Sequence, residues 1–103
     1  GPLCTSQYNS PTYRTCFWQA YQTCQPVTLR YNAPGPVEGA VIYVSAQPLH
    51  GHCTLTADLQ FVEPFTATIL DSPAVTATCA SARQQDNELI ISGCGAFGDL
   101  IIP

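Results

Sequence analysis

The chain has 103 residues with three Arg, no Lys and seven acidic side chains, a formal net charge of −4. Phosphate and anionic-lipid surfaces are bound by clustered cations, so this composition speaks against nucleic acid as a partner. No apolar run approaches the roughly 18 residues of a transmembrane helix, and the length fits one domain, taken as residues 3–103.

Six cysteines in so short a chain imply three disulfides and an oxidising compartment, whether secreted, periplasmic or cell-surface, and the chain is read as secreted and extracellular. With no Cys-x-x-Cys pair, a zinc ribbon or thioredoxin motif has no support. No signal peptide is visible and Gly1-Pro2 matches the remnant of a cleaved tag, so the chain is read as a mature, soluble monomer. None of Asn9, Asn32 and Asn87 opens an Asn-x-Ser/Thr sequon, and N-glycosylation is not expected.

Residues 3–9 form a polar lead-in carrying Cys4. Ser10-Pro11 then supplies an N-cap followed by proline at the first helical position. Tyr13, Cys16, Phe17, Ala20, Tyr21 and Cys24 recur with helical spacing, which predicts a helix over residues 13–24 ended by Gln25-Pro26. A disulfide-rich loop with packed aromatics is the competing description. In a helix, Cys16 and Cys24 would stand about 12 Å apart, beyond the roughly 7 Å between Cα atoms that a disulfide spans. Those two cannot bond to each other, and the other pairings stay open.

Val27, Leu29, Tyr31 and Ala33 alternate with polar residues over 27–33, a strand closed by the turn signal Pro34-Gly35-Pro36. Residues 37–46 contain Ala40-Val41-Ile42-Tyr43-Val44, apolar on both faces, and read as a more buried strand leading into a loop at 47–51. The clearest pattern is 52–62, where Cys53, Leu55, Ala57, Leu59 and Phe61 alternate with Thr54, Thr56, Asp58 and Gln60. Side chains of a strand point to opposite faces in turn, so this one has a dry face carrying Cys53 and a wet face. After Glu63-Pro64, residues 65–70 resume a strand at an edge or bulge.

Asp71-Ser72-Pro73 repeats the cap-plus-proline signal, and the alanine-rich residues 74–85 place Val75, Cys79 and Ala82 on one helical stripe, with Asn87 at a left-handed cap. A strand with Val75, Ala77 and Cys79 opposed to Thr76 and Thr78 is the alternative. Residues 89–91 and 97–102 are short strands split by Gly93-Cys94-Gly95. The expected fold is α+β in two layers, an antiparallel sheet covered on its dry face by two helices and held by three disulfides. An all-β sandwich is the alternative.

His50-Gly51-His52-Cys53 is the one cluster of metal-ligand types, but with Cys53 in a disulfide it leaves two histidines on a polar turn, too few for a coordination set. Nucleophilic catalysis has no motif, and Asp58 and Glu63 read as ordinary solvated acids. Tyr31, Glu38-Gly39, Arg83 and His50 or His52 are the residue types used by small secreted fungal ribonucleases. In that family one histidine precedes the glutamate and another follows the arginine, whereas here both lie between Glu38 and Arg83, which removes the acid–base pair. No enzymatic activity, cofactor or metal site is therefore expected.

Tyr8, Tyr13, Phe17, Trp18 and Tyr21 crowd the N-terminal third. Trp18 falls off the apolar stripe, and an exposed Trp is a strong interface anchor, so the candidate binding residues are Trp18, Tyr21 and Tyr13. Aromatics filling out a small core are the plainer description. The disulfide residues are Cys4, Cys16, Cys24, Cys53, Cys79 and Cys94.

Six spaced cysteines, an acidic Thr/Ala-rich chain and a helix-capped antiparallel sheet together resemble the small cysteine-rich proteins that fungi export as effectors or killer toxins. That resemblance implies virulence or toxin-like work done by binding an extracellular or cell-surface protein or glycan rather than by catalysis. A carbohydrate-binding module using the N-terminal aromatics is one alternative. An inhibitor of an extracellular hydrolase presenting residues 32–37 is another.

Overall fold

The computed structural model describes residues 3–5, 12–33, 39–62 and 75–103. Among them the chain is mostly β. In order come β1 (Leu3–Thr5), α1 (Thr12–Gln22), β2 (Val27–Ala33), β3 (Gly39–Leu49), β4 (His52–Val62), β5 (Val75–Cys79), β6 (Ser81–Gln85), β7 (Glu88–Ser92), a 3-10 turn (Gly95–Phe97) and β8 (Leu100–Ile102). One sheet has the order β1-β2-β3-β4-β5 and the other β6-β7-β8. Every pairing is antiparallel except β1 with β2.

The alternation along β2, β3 and β4 sets the register, because slipping by one residue would turn every apolar side chain outward. In that register Val27, Ala46, Leu55 and Cys79 form one row across four strands. Cys4, Leu29, Val44, Ala57 and Ala77 form the next. These rows meet Tyr13, Phe17 and Ala20 of α1 and Leu89, Ile91 and Ile102 of the second sheet in one continuous core. The dry face of β4 is buried at Leu55 and Ala57 and only half-buried at Leu59, while Thr54, Thr56, Asp58 and Gln60 opposite them are half-buried too. Cys53 shares their parity but lies exposed at the strand's end, past the helix, and not in the core as expected.

The second expected helix does not form. Residues 75–85 are two strands, and Val75, Thr76 and Thr78 explain why, since β-branched side chains lose rotamer freedom in a helix and fit a pleated surface. β5 pairs with β4 and β6 with β7, so this stretch leaves one sheet and enters the other at Ala80, whose N–H donates to the Ser92 carbonyl at 2.8 Å. A chain that changes sheets at a bend is how two sheets share a corner. Gly93 lies against that bend with φ +70°, and a Cβ there would come within 2.9 Å of the Ala80 Cβ.

Other expectations shift by smaller steps. β3 runs on through 47–49, leaving only His50-Gly51 as the turn into β4. Both turn residues have positive φ, as do Asp86 and Asn87 between β6 and β7. Two-residue turns of that handedness match the twist of a hairpin, so Asn87 takes the left-handed conformation in a hairpin and not as a helix cap. The expected strand over 97–102 is a 3-10 turn at Gly95–Phe97 followed by β8. The expected N-cap at Ser10 and the strand over 65–70 fall outside the described residues.

α1 stops at Gln22, short of Cys24. The Cys24 N–H donates to the Tyr21 carbonyl and the Gln25 N–H to the Ala20 carbonyl, both at 2.9 Å, with Cys24 at φ 51°. This is a Schellman C-cap with cysteine where glycine usually sits. Cys24 is held there by its disulfide to Cys53, while Cys4–Cys16 ties β1 to α1 and Cys79–Cys94 pins the end of β5 to the segment after β7. No cysteine is free, a density of crosslinks typical of extracellular proteins. Among the described residues no helix is long and apolar enough to cross a membrane.

Candidate binding face on the five-stranded sheet

The side chains that do not enter the core project from the opposite face of the larger sheet. Register places Arg30 beside Tyr43, Tyr43 beside Asp58 and Asp58 beside Thr76, one row across β2, β3, β4 and β5. The neighbouring row is Thr28, Ser45, Thr56 and Thr78. With strands about 4.8 Å apart, a row of four spans roughly 14 Å. Thr28 and Ser45 share a hydroxyl hydrogen bond at 3.1 Å. The Arg30 guanidinium carbon lies over the Tyr43 ring, 5.9 Å from its centroid, a cation–π contact that orients both side chains. Arg30 Nε is buried and has no hydrogen-bond acceptor among the described residues. On this face Val41 is 2% exposed, Arg30, Tyr43, Ser45, Thr56 and Asp58 are half-buried, and Thr76 and Thr78 are exposed.

This face combines a guanidinium, a carboxylate, a phenol and several hydroxyls on strands that the ladder already holds rigid. Such a set can donate, accept and stack without first being ordered, which lowers the entropic cost of binding. Nothing in it is a nucleophile paired with a base.

The residues singled out from the sequence lie elsewhere. Tyr13 was a binding candidate, but it is buried, and its hydroxyl donates to the Pro103 carbonyl, tying α1 to the end of β8. Arg14 makes a parallel tie by donating from Nη1 to the Asn87 carbonyl. Trp18 is half-buried rather than exposed, tilted against Tyr21 with ring centroids 5.9 Å apart, while Tyr21 stacks on Phe17 at 6.1 Å. The helix therefore spends most of its aromatics on packing, leaving a half-exposed ledge of Trp18 and Tyr21. His50 lies in the β3–β4 turn and His52 opens β4, both exposed, and among the described residues no three His, Cys, Asp or Glu are placed to hold a metal. Arg83 lies on the smaller sheet against Gln85 and Ser92, and Tyr31 on the core side of β2. Glu38, Glu63 and residues 34–37 fall outside the described residues.

Burial pushes the Tyr13 phenol above its ordinary pKa of 10.0, with Arg14 pulling it down and Tyr31 pushing it up. Above the ordinary value the unfolded chain gives up this proton while the folded chain keeps it, so stability should fall as pH climbs from there toward the folded value. Tyr13→Phe should flatten that decline while costing about 1 kcal/mol at neutral pH for the lost hydrogen bond. Urea midpoints for both proteins between about pH 8 and about pH 11 check this, and equal alkaline slopes would contradict it.

No family model matches the chain, and no curated protein or solved structure shows significant similarity to it.

Proposed function

We propose that this chain is a secreted interaction protein of the effector or toxin kind, binding an extracellular or cell-surface target through the outer face of its five-stranded sheet. The observation that carries the reading is the row Arg30, Tyr43, Asp58 and Thr76 beside the hydroxyl row through Thr56. Polar side chains on this scale need not be so assembled to keep a sheet soluble, and three disulfides supply the rigidity that a presented surface needs. The half-exposed ledge of Trp18 and Tyr21 supports the alternative of a carbohydrate-binding module on the helix.

The test is saturable binding of labelled protein to intact fungal and plant cells. Tyr43→Ala combined with Thr56→Arg should weaken it by about tenfold or more, the scale of a lost hot spot, while Trp18→Ala leaves it nearly unchanged. Loss on Trp18→Ala alone would move the site to the helix. Absence of saturable binding to either surface would overturn the proposal.

A further inference from the structure

We propose that the row of Arg30, Tyr43, Asp58 and Thr76 is a subsite for an uncharged oligosaccharide, an inference that rests on the outer sheet face being the binding surface. The first ground is the chemistry of the row. A sugar offers hydroxyls that donate and accept in fixed directions, and an apolar C–H face. Asp58 accepts, the guanidinium of Arg30 donates, Thr76 does both, and Tyr43 offers a flat apolar ring with a polar tip.

The second ground is what the strands have left to offer. Through both rows β3 is paired on both sides, as are β2 over residues 28–30 and β4 over residues 55–59, so no peptide strand can be added between them. A ligand on this face must be read by side chains alone. The third is charge. The row holds one cation and one anion, and the whole chain is at −4, which disfavours acidic glycans as well as any partner needing a strongly charged patch. The fourth is unfinished bonding. Among the described residues Arg30 Nε, a buried donor, has no acceptor, and such groups are rarely left so. Arg30 covers one face of the Tyr43 ring, and among the described residues no aromatic ring covers the other.

The experiment is a titration of the intact, oxidised, 15N-labelled protein with soluble β-glucan, chitin, xylan and mannan oligosaccharides, and with heparin as an anionic probe. At least one neutral oligosaccharide should give saturable shifts at the amides of Tyr43, Asp58 and Thr76, and heparin should give none there. Tyr43→Ala should raise its Kd by about tenfold or more. Asp58→Asn, which keeps the shape but removes the charge and turns one acceptor oxygen into an amide donor, should raise it several-fold and so covers the case in which Tyr43→Ala fails to fold. No shift with any neutral oligosaccharide, shifts confined to the helix around Trp18, or an unchanged Kd in both variants would overturn the subsite. If cells still bind through Tyr43 and Thr56 while no glycan does, the subsite fails and the binding face stands. If neither binds, both fail.

Discussion

Replacing Phe17 by alanine should cost about 3–5 kcal/mol, a large part of what holds a domain of this size folded. Phe17 is 0% exposed and belongs to the core that α1, both sheets and the Tyr21 ring share. Its removal leaves a cavity at the junction of three elements, where no single one can shift to fill the space without dragging the others. Its neighbour Trp18 is larger but half-buried, so Trp18→Ala should cost less, about 1–2 kcal/mol by the share of its surface withdrawn from water. Urea unfolding of the two variants gives the comparison. A costlier Trp18→Ala would mean that the helix is anchored by its flank and not by its buried stripe.

The disulfides should not rank by loop length. Cys24–Cys53 closes the longest loop, with a separation of 29, against 15 for Cys79–Cys94. Loop entropy alone gives about 3.6 and about 3.0 kcal/mol for the two. Cys79 and Cys94 are both buried, however, while Cys53 is exposed. Deleting a buried sulfur forfeits packing on the scale of a buried methylene, about 0.8 kcal/mol each. Removing Cys79–Cys94 by paired alanines should therefore cost roughly 4–5 kcal/mol and exceed the loss of Cys24–Cys53. Denaturant midpoints of the two double variants decide it, and the reverse order would show that chain entropy dominates here.

How much of this was readable from the chain depends on whether a signal was local. β2 and β4 stand where alternation places them, because turn residues bound both runs. The helix was legible from its aromatic stripe, but its end was not, since Cys24 takes a cap conformation normally given to glycine. Residues 75–85 misled for a specific reason. Val75, Ala77 and Cys79 keep one parity, and the bend at Ala80 resets it, so that Ala82 is the next residue packed on the core. Cys79 and Ala82 thereby stand three apart, which is helical spacing produced by a kinked strand. One side of the candidate face was visible as Thr54, Thr56, Asp58 and Gln60. Its partners Arg30, Tyr43, Thr76 and Thr78 come alongside only through register, and no single strand carries that information. Nor could sequence show that the Tyr13 hydroxyl is engaged by Pro103, at the far end of the chain.

The bend at Ala80 also settles what becomes of the larger sheet's borders. An open border is a row of unpaired backbone groups on which another molecule's strand can add, and stacking of that kind leads to fibrils. Among the described residues one border is β5, which offers five residues before the chain turns away into the other sheet. The other is β1, three residues long and fastened to the helix by Cys4–Cys16. Neither gives a template long enough to recruit a copy, so the oxidised protein should remain dispersed when concentrated. Reducing Cys4–Cys16 would free β1 to peel off, baring residues 28–30 so that β2, seven residues long, becomes the open border, and turning a crosslink that looks purely structural into the guard against polymerisation.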